Sequence, residues 1–217
     1  MSEESPQGAE LRIGKVRGVT LAKWHRVWDA RFDTPLTVSD VADDAQLTGL
    51  RDGSLDMCFV RLPVDREGLH AIPLYEETMV AWVSKEHAIS AVDEVTLADL
   101  DDEQVITELH ATATDLVLGG AVLVVPMSVA RGASRRDLVY RPVVDADPSP
   151  VALAWRVDDD NPLIEEFIGV VRGRTPNSSR TTQTRPASAA PRTTETPRRT
   201  PARTGRKAPA KRKRRGR

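Results

Sequence analysis

The stretch Leu36–Leu74, LTVSDVADDAQLTGLRDGSLDMCFVRLPVDREGLHAIPL, leaves this chain few ways to fold. It opens on an extended run, Leu36–Val41. A short helix carrying Leu47, Leu50 and Leu55 follows, with the turn Asp52-Gly53-Ser54 beside it. Leu55–Val60 then reads as a buried strand, and Gly68–Leu74 as a strand leading out. Strand, helix and strand in that order pack as a βαβ unit with a parallel sheet. The expected fold class is α/β.

The rest of the chain adds elements on either side. Leu11–Val16 is a short apolar strand, Gly18 allows a turn, and Thr20 can cap a helix. In that helix Leu21, Trp24, Trp28 and Phe32 recur at spacings that put them on one face. Glu76–Ser84 reads as one strand, with Met79–Val83 buried. Leu97–Leu100 is a helical turn and Gln104–Thr107 a strand. Leu138–Val144 and Pro150–Val157 are further strands. Asn161 followed by Pro162 starts a last helix, whose apolar face is Leu163, Ile164, Phe167, Ile168 and Val171.

Of the 217 residues, 40% are apolar and only 4% aromatic, so the expected core is aliphatic. The single cysteine, Cys58, rules out an internal disulfide or a Cys-based zinc cluster, and it lies in a strand expected to be buried. The N-terminus MSEESPQGAE is too polar for a signal peptide. The longest apolar run, Leu116–Val125, falls short of the ~20 residues a membrane helix needs. A cytoplasmic protein without membrane contact is expected.

The wording of the organising stretch is more specific than its pattern. L-x-x-G-x-L-D at Leu50–Asp56, followed by G-L-x-x-x-P-L at Gly68–Leu74, resembles the effector-binding (substrate-binding) domain of LysR-type transcriptional regulators. Further landmarks follow in family order at Leu11–Gly14, Glu86–Ile89, Leu97–Leu100, Val124–Ser128, Ala152–Arg156 and Asn161–Phe167. The resemblance covers Glu10–Arg172 and implies a type II periplasmic-binding-protein-like fold, a bacterial cytoplasmic setting, a homodimer and transcription regulation. It suggests a leader at 1–10, the LysR-like domain at 11–172 and a tail at 173–217. Two departures stand out. After Ile106 the family runs through a longer succession of helix, strand and helix, whereas here Gly119–Pro126 follows almost at once, so a reduced second lobe is expected. The family's N-terminal winged helix-turn-helix has no counterpart in the polar residues before Leu11, so a chain without that DNA-reading module is expected.

Candidate ligand-binding residues come from two arguments. The turn Gly18-Val19-Thr20 falls where a strand ends and a helix starts, a place whose free N–H groups suit a carboxylate. The resemblance makes the same turn, and Thr107, effector contacts; an ordinary capped helix start reads the same way. Arg61 ends the Phe59-Val60 strand, and ligands gather beyond the carboxyl ends of strands in open α/β sheets. It could pair with a small anionic effector or serve structure alone. Gly119-Gly120 lacks the spacing of a phosphate loop. His25 lies beside the apolar stripe as a boundary residue, and His70, His87 and His110 are isolated, each read as an ordinary surface or strand-edge residue. The chain is therefore read as non-enzymatic, with no catalytic residue, no metal site and no cofactor.

The formal net charge of −1 hides a division. Arg172–Arg217 holds 16 Lys/Arg and one acid, Glu195, against 15 bases and 31 acids in the residues before it. This basic segment has no Leu, Ile, Val, Met or aromatic residue, so it is expected to stay disordered. Its densest part, RRTPARTGRKAPAKRKRRGR, suits the phosphates of DNA without reading sequence. Arg206, Lys207, Lys211, Arg212, Lys213, Arg214, Arg215 and Arg217 are the candidate DNA contacts, and association with the nucleoid would follow. Arg172-Gly173-Arg174 and Arg215-Gly216-Arg217 resemble the core of a minor-groove hook without its flanking prolines. Two readings remain open: a regulatory, DNA-associated protein with a basic nucleic-acid-binding tail, or a small-anion-sensing or partner-binding module whose tail does not bind DNA.

Overall fold

The computed structural model describes residues 10–174. The readings of the leader and of the basic tail, including all the candidate DNA contacts, lie outside the described residues.

Lobe 1 is built on a five-stranded sheet of β1 (Leu11–Val16), β2 (Leu36–Val41), β3 (Met57–Arg61), β4 (Leu69–Glu77) and β9 (Ser149–Arg156), in the order β2-β1-β3-β9-β4. β1 lies between β2 and β3 and runs parallel to both. The expected parallel unit is present, with β1 inserted between its two strands. β9 returns antiparallel between β3 and β4. With neighbours on both edges and both faces, β3 is an uninterrupted apolar run: Met57, Cys58, Phe59 and Val60 are fully buried. Gly14 of β1 permits that density. A Cβ there would sit 2.6 Å from Leu55 Cδ1 and 2.9 Å from Cys58 Sγ, so any larger residue would push the β2–β3 connection off the sheet. The helix expected in that connection is shorter and holds only Leu50 of its three leucines: a 3-10 turn, Asp43–Ala45, precedes one helical turn, α2 (Thr48–Arg51).

Helices α1 (Ala22–Asp29) and α5 (Pro162–Val171) cover one face of this sheet. The core under them is not purely aliphatic as composition suggested. All three phenylalanines of the chain gather here with three of its four tryptophans. Trp24 stacks on Phe59 at 5.0 Å, and Trp28 meets Phe32 at 4.3 Å and Phe167 at 5.8 Å. The buried Trp28 donates its indole N–H to Thr34 O at 2.7 Å, so its polar atom is satisfied. α1 also starts later than expected. Its N-cap position falls on Leu21, with no side-chain cap, and Thr20 is exposed. α5 starts where expected, with Asn161 Oδ1 accepting from Leu163 N at 3.0 Å.

Lobe 2 is a four-stranded sheet of β5 (Met79–Ser84), β6 (Val105–Ile106), β7 (Val122–Pro126) and β8 (Leu138–Pro142), in the order β6-β7-β5-β8. α3 (Ala113–Leu118) and α4 (Met127–Gly132) pack against it. The connection between β6 and β7 holds only the six-residue α3. The expected single strand over Glu76–Ser84 is two: β4 ends at Glu77, and β5 begins at Met79 in the other sheet. Thr78 is the crossover, and its carbonyl accepts from Met127 N at 2.9 Å. No helix among the described residues is long and apolar enough to cross a membrane.

Candidate effector cleft

The carboxyl ends of β1, β3 and β4 face the start of α4 and the segment after β6, and the cleft lies between. Three contacts stitch it through the middle. Arg17 Nη1 donates to Leu109 O at 2.5 Å, and Arg61 Nη2 donates to Ser128 Oγ at 3.3 Å. Gly18 presses on α4, where a Cβ would lie 2.3 Å from Ser128 Oγ and 2.9 Å from Val129 N. Its φ of +87° is also one that side chains other than hydrogen rarely adopt. This contact fixes the turn that precedes α1.

The stitches leave two cavities. The larger, about 1210 Å³, is lined by Gly18, Val19 and Thr20 with Lys15, Thr78 and Met127 among others. The smaller, about 550 Å³, is lined by Arg61 and Thr107 with Asp43, Glu108 and His110 among others. The five expected ligand residues thus all line the cleft, and they divide between its two halves. Within the turn, Val19 is buried and Thr20 is exposed to the larger cavity.

Arg61 is the most tightly held of them. The Gln46 side-chain amide grips its backbone from both sides, accepting from Arg61 N at 2.8 Å and donating to Arg61 O at 3.1 Å. Its guanidinium donates to Glu77 Oε2 at 2.6 Å and to Arg17 O at 2.8 Å, and lies 3.7 Å from Asp43. Its Nε has no hydrogen-bond partner among the described residues. Glu77, last residue of β4 and a wall of the larger cavity, went unnoticed in the sequence. In the structure β3 and β4 run in the same direction on either side of β9, so the strand-end argument that picked Arg61 applies to Glu77 as well; the sequence hid this by placing Glu77 inside a strand running to Ser84.

The histidines are less isolated than the sequence implied. His87 Nδ1 accepts from Ile89 N at 3.2 Å, and its Nε2 lies 3.3 Å from Glu103. His70 packs against Trp155, its ring centroid 5.3 Å away, and His110 bonds Thr112 at 3.0 Å. Cys58 is fully buried, and burial pushes its thiol up to about 12.

A two-lobed α/β body whose candidate ligand residues flank one inter-lobe cleft is the arrangement the sequence resemblance implied. Residues 32–118 match the LysR substrate binding domain. The HTH-type transcriptional regulator CatR of Pseudomonas putida is 23% identical over 168 residues, 63% of this chain and 57% of that protein. The Hca operon transcriptional activator HcaR of Escherichia coli K12 is 22% identical over 174 residues, 65% and 58% of the two chains. This chain therefore spans less than two thirds of the length of either. Among solved structures, the BenM effector binding domain with its effector benzoate matches with a TM-score of 0.62 at 21% identity, covering 76% of this chain and 90% of that one. The reduced OxyR regulatory domain from Pseudomonas aeruginosa matches at 0.61 and 20% identity, covering 76% and 98%. Full-length CbnR complexed with its target DNA matches at 0.63 and 19% identity, covering 76% and 70%. The fold is that of LysR effector-binding domains, and the relatives are transcriptional regulators.

Proposed function

We propose that this chain is a non-enzymatic, DNA-associated regulatory protein. Its LysR-type body supplies dimerisation and partner or effector contact, and its C-terminal basic segment supplies DNA affinity. The observation that carries this reading is the coupling of a regulator-type body to a segment with 16 Lys/Arg and one acid. Such a segment neutralises phosphates and releases their counterions whatever the base sequence. Two such segments on a homodimer would raise avidity through effective concentration. The alternative, a body that senses a small anion through Arg61, has less support, because Glu77 already engages that guanidinium. Duplex binding by the full chain and by a chain ending at Arg172, followed by fluorescence anisotropy at near-physiological salt, tests the proposal. The full chain should bind and the shortened chain should not. Equal binding by both, or none by either, contradicts it.

A further inference from the structure

The cleft of this domain contains a carboxylate of its own. Glu77 Oε2 lies 2.6 Å from Arg61 Nη2, and both side chains are withdrawn from water, at 9% and 13% exposure. The same Nη2 reaches Ser128 Oγ on α4, so the pair ties the end of β4 to lobe 2. Gln46 fixes the backbone from which Arg61 projects. The cations lining the larger cavity, which Glu77 also walls, have partners within the chain: Lys15 on Asp40, Arg17 on Leu109 O, and Arg131 on the Tyr140 hydroxyl. An incoming carboxylate would have to displace Glu77, which would then stand next to it unpaired in a site largely closed to water. That costs far more than the same exchange at the surface.

We propose that Glu77 is a built-in counter-anion that occupies Arg61, holds the two lobes together without a bound anion, and makes the cleft select uncharged, hydrogen-bonding ligands over carboxylates. Glu77 is then a specificity-determining residue, and neutralising it converts the cleft into an anion receptor. The Glu77→Gln substitution keeps the size and hydrogen-bonding capacity of the side chain while leaving Arg61 without its counter-charge.

The test is calorimetric titration of the full chain with sodium benzoate and with benzamide, the same ring carrying an uncharged amide, together with thermal unfolding in each. For the unsubstituted chain, benzoate should bind no more tightly than benzamide, and it should not raise the unfolding midpoint. For E77Q, benzoate affinity should rise at least tenfold over the unsubstituted chain, and benzoate should raise the midpoint while benzamide does not. If E77Q folds only poorly, benzoate in the buffer should restore the folded chain. Benzoate binding to the unsubstituted chain tenfold tighter than benzamide overturns the proposal. So does an E77Q chain that benzoate neither binds nor rescues. DNA binding is read in a different assay, so neither result bears on the reading of the basic segment.

Discussion

Asp56 shows how this chain tolerates a charge in its core. It is 5% exposed, yet its carboxylate accepts from the Arg12 backbone N–H at 2.7 Å and from Arg12 Nε and Nη2 at 3.2 and 2.7 Å. Three donors aligned on one carboxylate replace the water it loses. Asp56→Ala removes that acceptor and strands a backbone donor at the β1–β3 edge. The expected cost is about 3 kcal/mol, seen as a lower urea midpoint with an unchanged slope. Cys58 gives a second residue-scale prediction. Its folded-state thiol titrates at about 12 against an ordinary 9.0, so the folded state holds the proton more tightly than the unfolded state does. The stability this confers is complete below pH 9.0 and is lost as the pH climbs toward about 12. At pH 8, iodoacetamide should label Cys58 in urea but not in the folded chain, as read by mass spectrometry; equal labelling in both would contradict its burial.

Among the elements, α5 was the most legible in sequence and α1 the least, for reasons that lie in the range of the forces. Asn161-Pro162 encodes its cap within three residues, and the structure places Asn161 Oδ1 on Leu163 N. Asn161→Ala should therefore cost about 1 kcal/mol, measurable as a small drop in the thermal midpoint. The turn before α1 is set from a distance: Ser128 and Val129 lie against Gly18, a contact between residues more than a hundred positions apart that no local cap rule detects. The break between β4 and β5 lies at Thr78, three residues beyond the Tyr75 that the sequence pattern suggests. Glu76, Glu77 and Thr78 are all polar and carry no local signal that divides them, and only the change of sheet marks the break. The aromatic seam beneath α1 and α5 was misjudged because an average over the chain says nothing about where few rings collect. Trp28→Ala, at its centre, should cost about 3–5 kcal/mol in an equilibrium unfolding measurement.

For the molecule as a whole, the fold was legible because the LysR landmarks are local turns and strand ends in a fixed order. The family match over residues 32–118 covers the stretch that organised the sequence reading. The division of candidate ligand residues between two cavities was not legible, since it arises from contacts between lobes. The central claim concerns charge at this scale: a body with 15 bases and 31 acids joined to a segment with 16 bases and one acid. The slope of log affinity against log salt for a duplex DNA tests it most directly. Arg198–Arg217 holds 11 Lys/Arg. If most of them meet phosphates, the slope for the full chain should be steep, on the order of −6 to −10, and little changed by duplex sequence. A chain ending at Arg172 should show no binding from which a slope could be drawn. A shallow slope for the full chain, or a steep one that survives removal of the segment, would contradict the account.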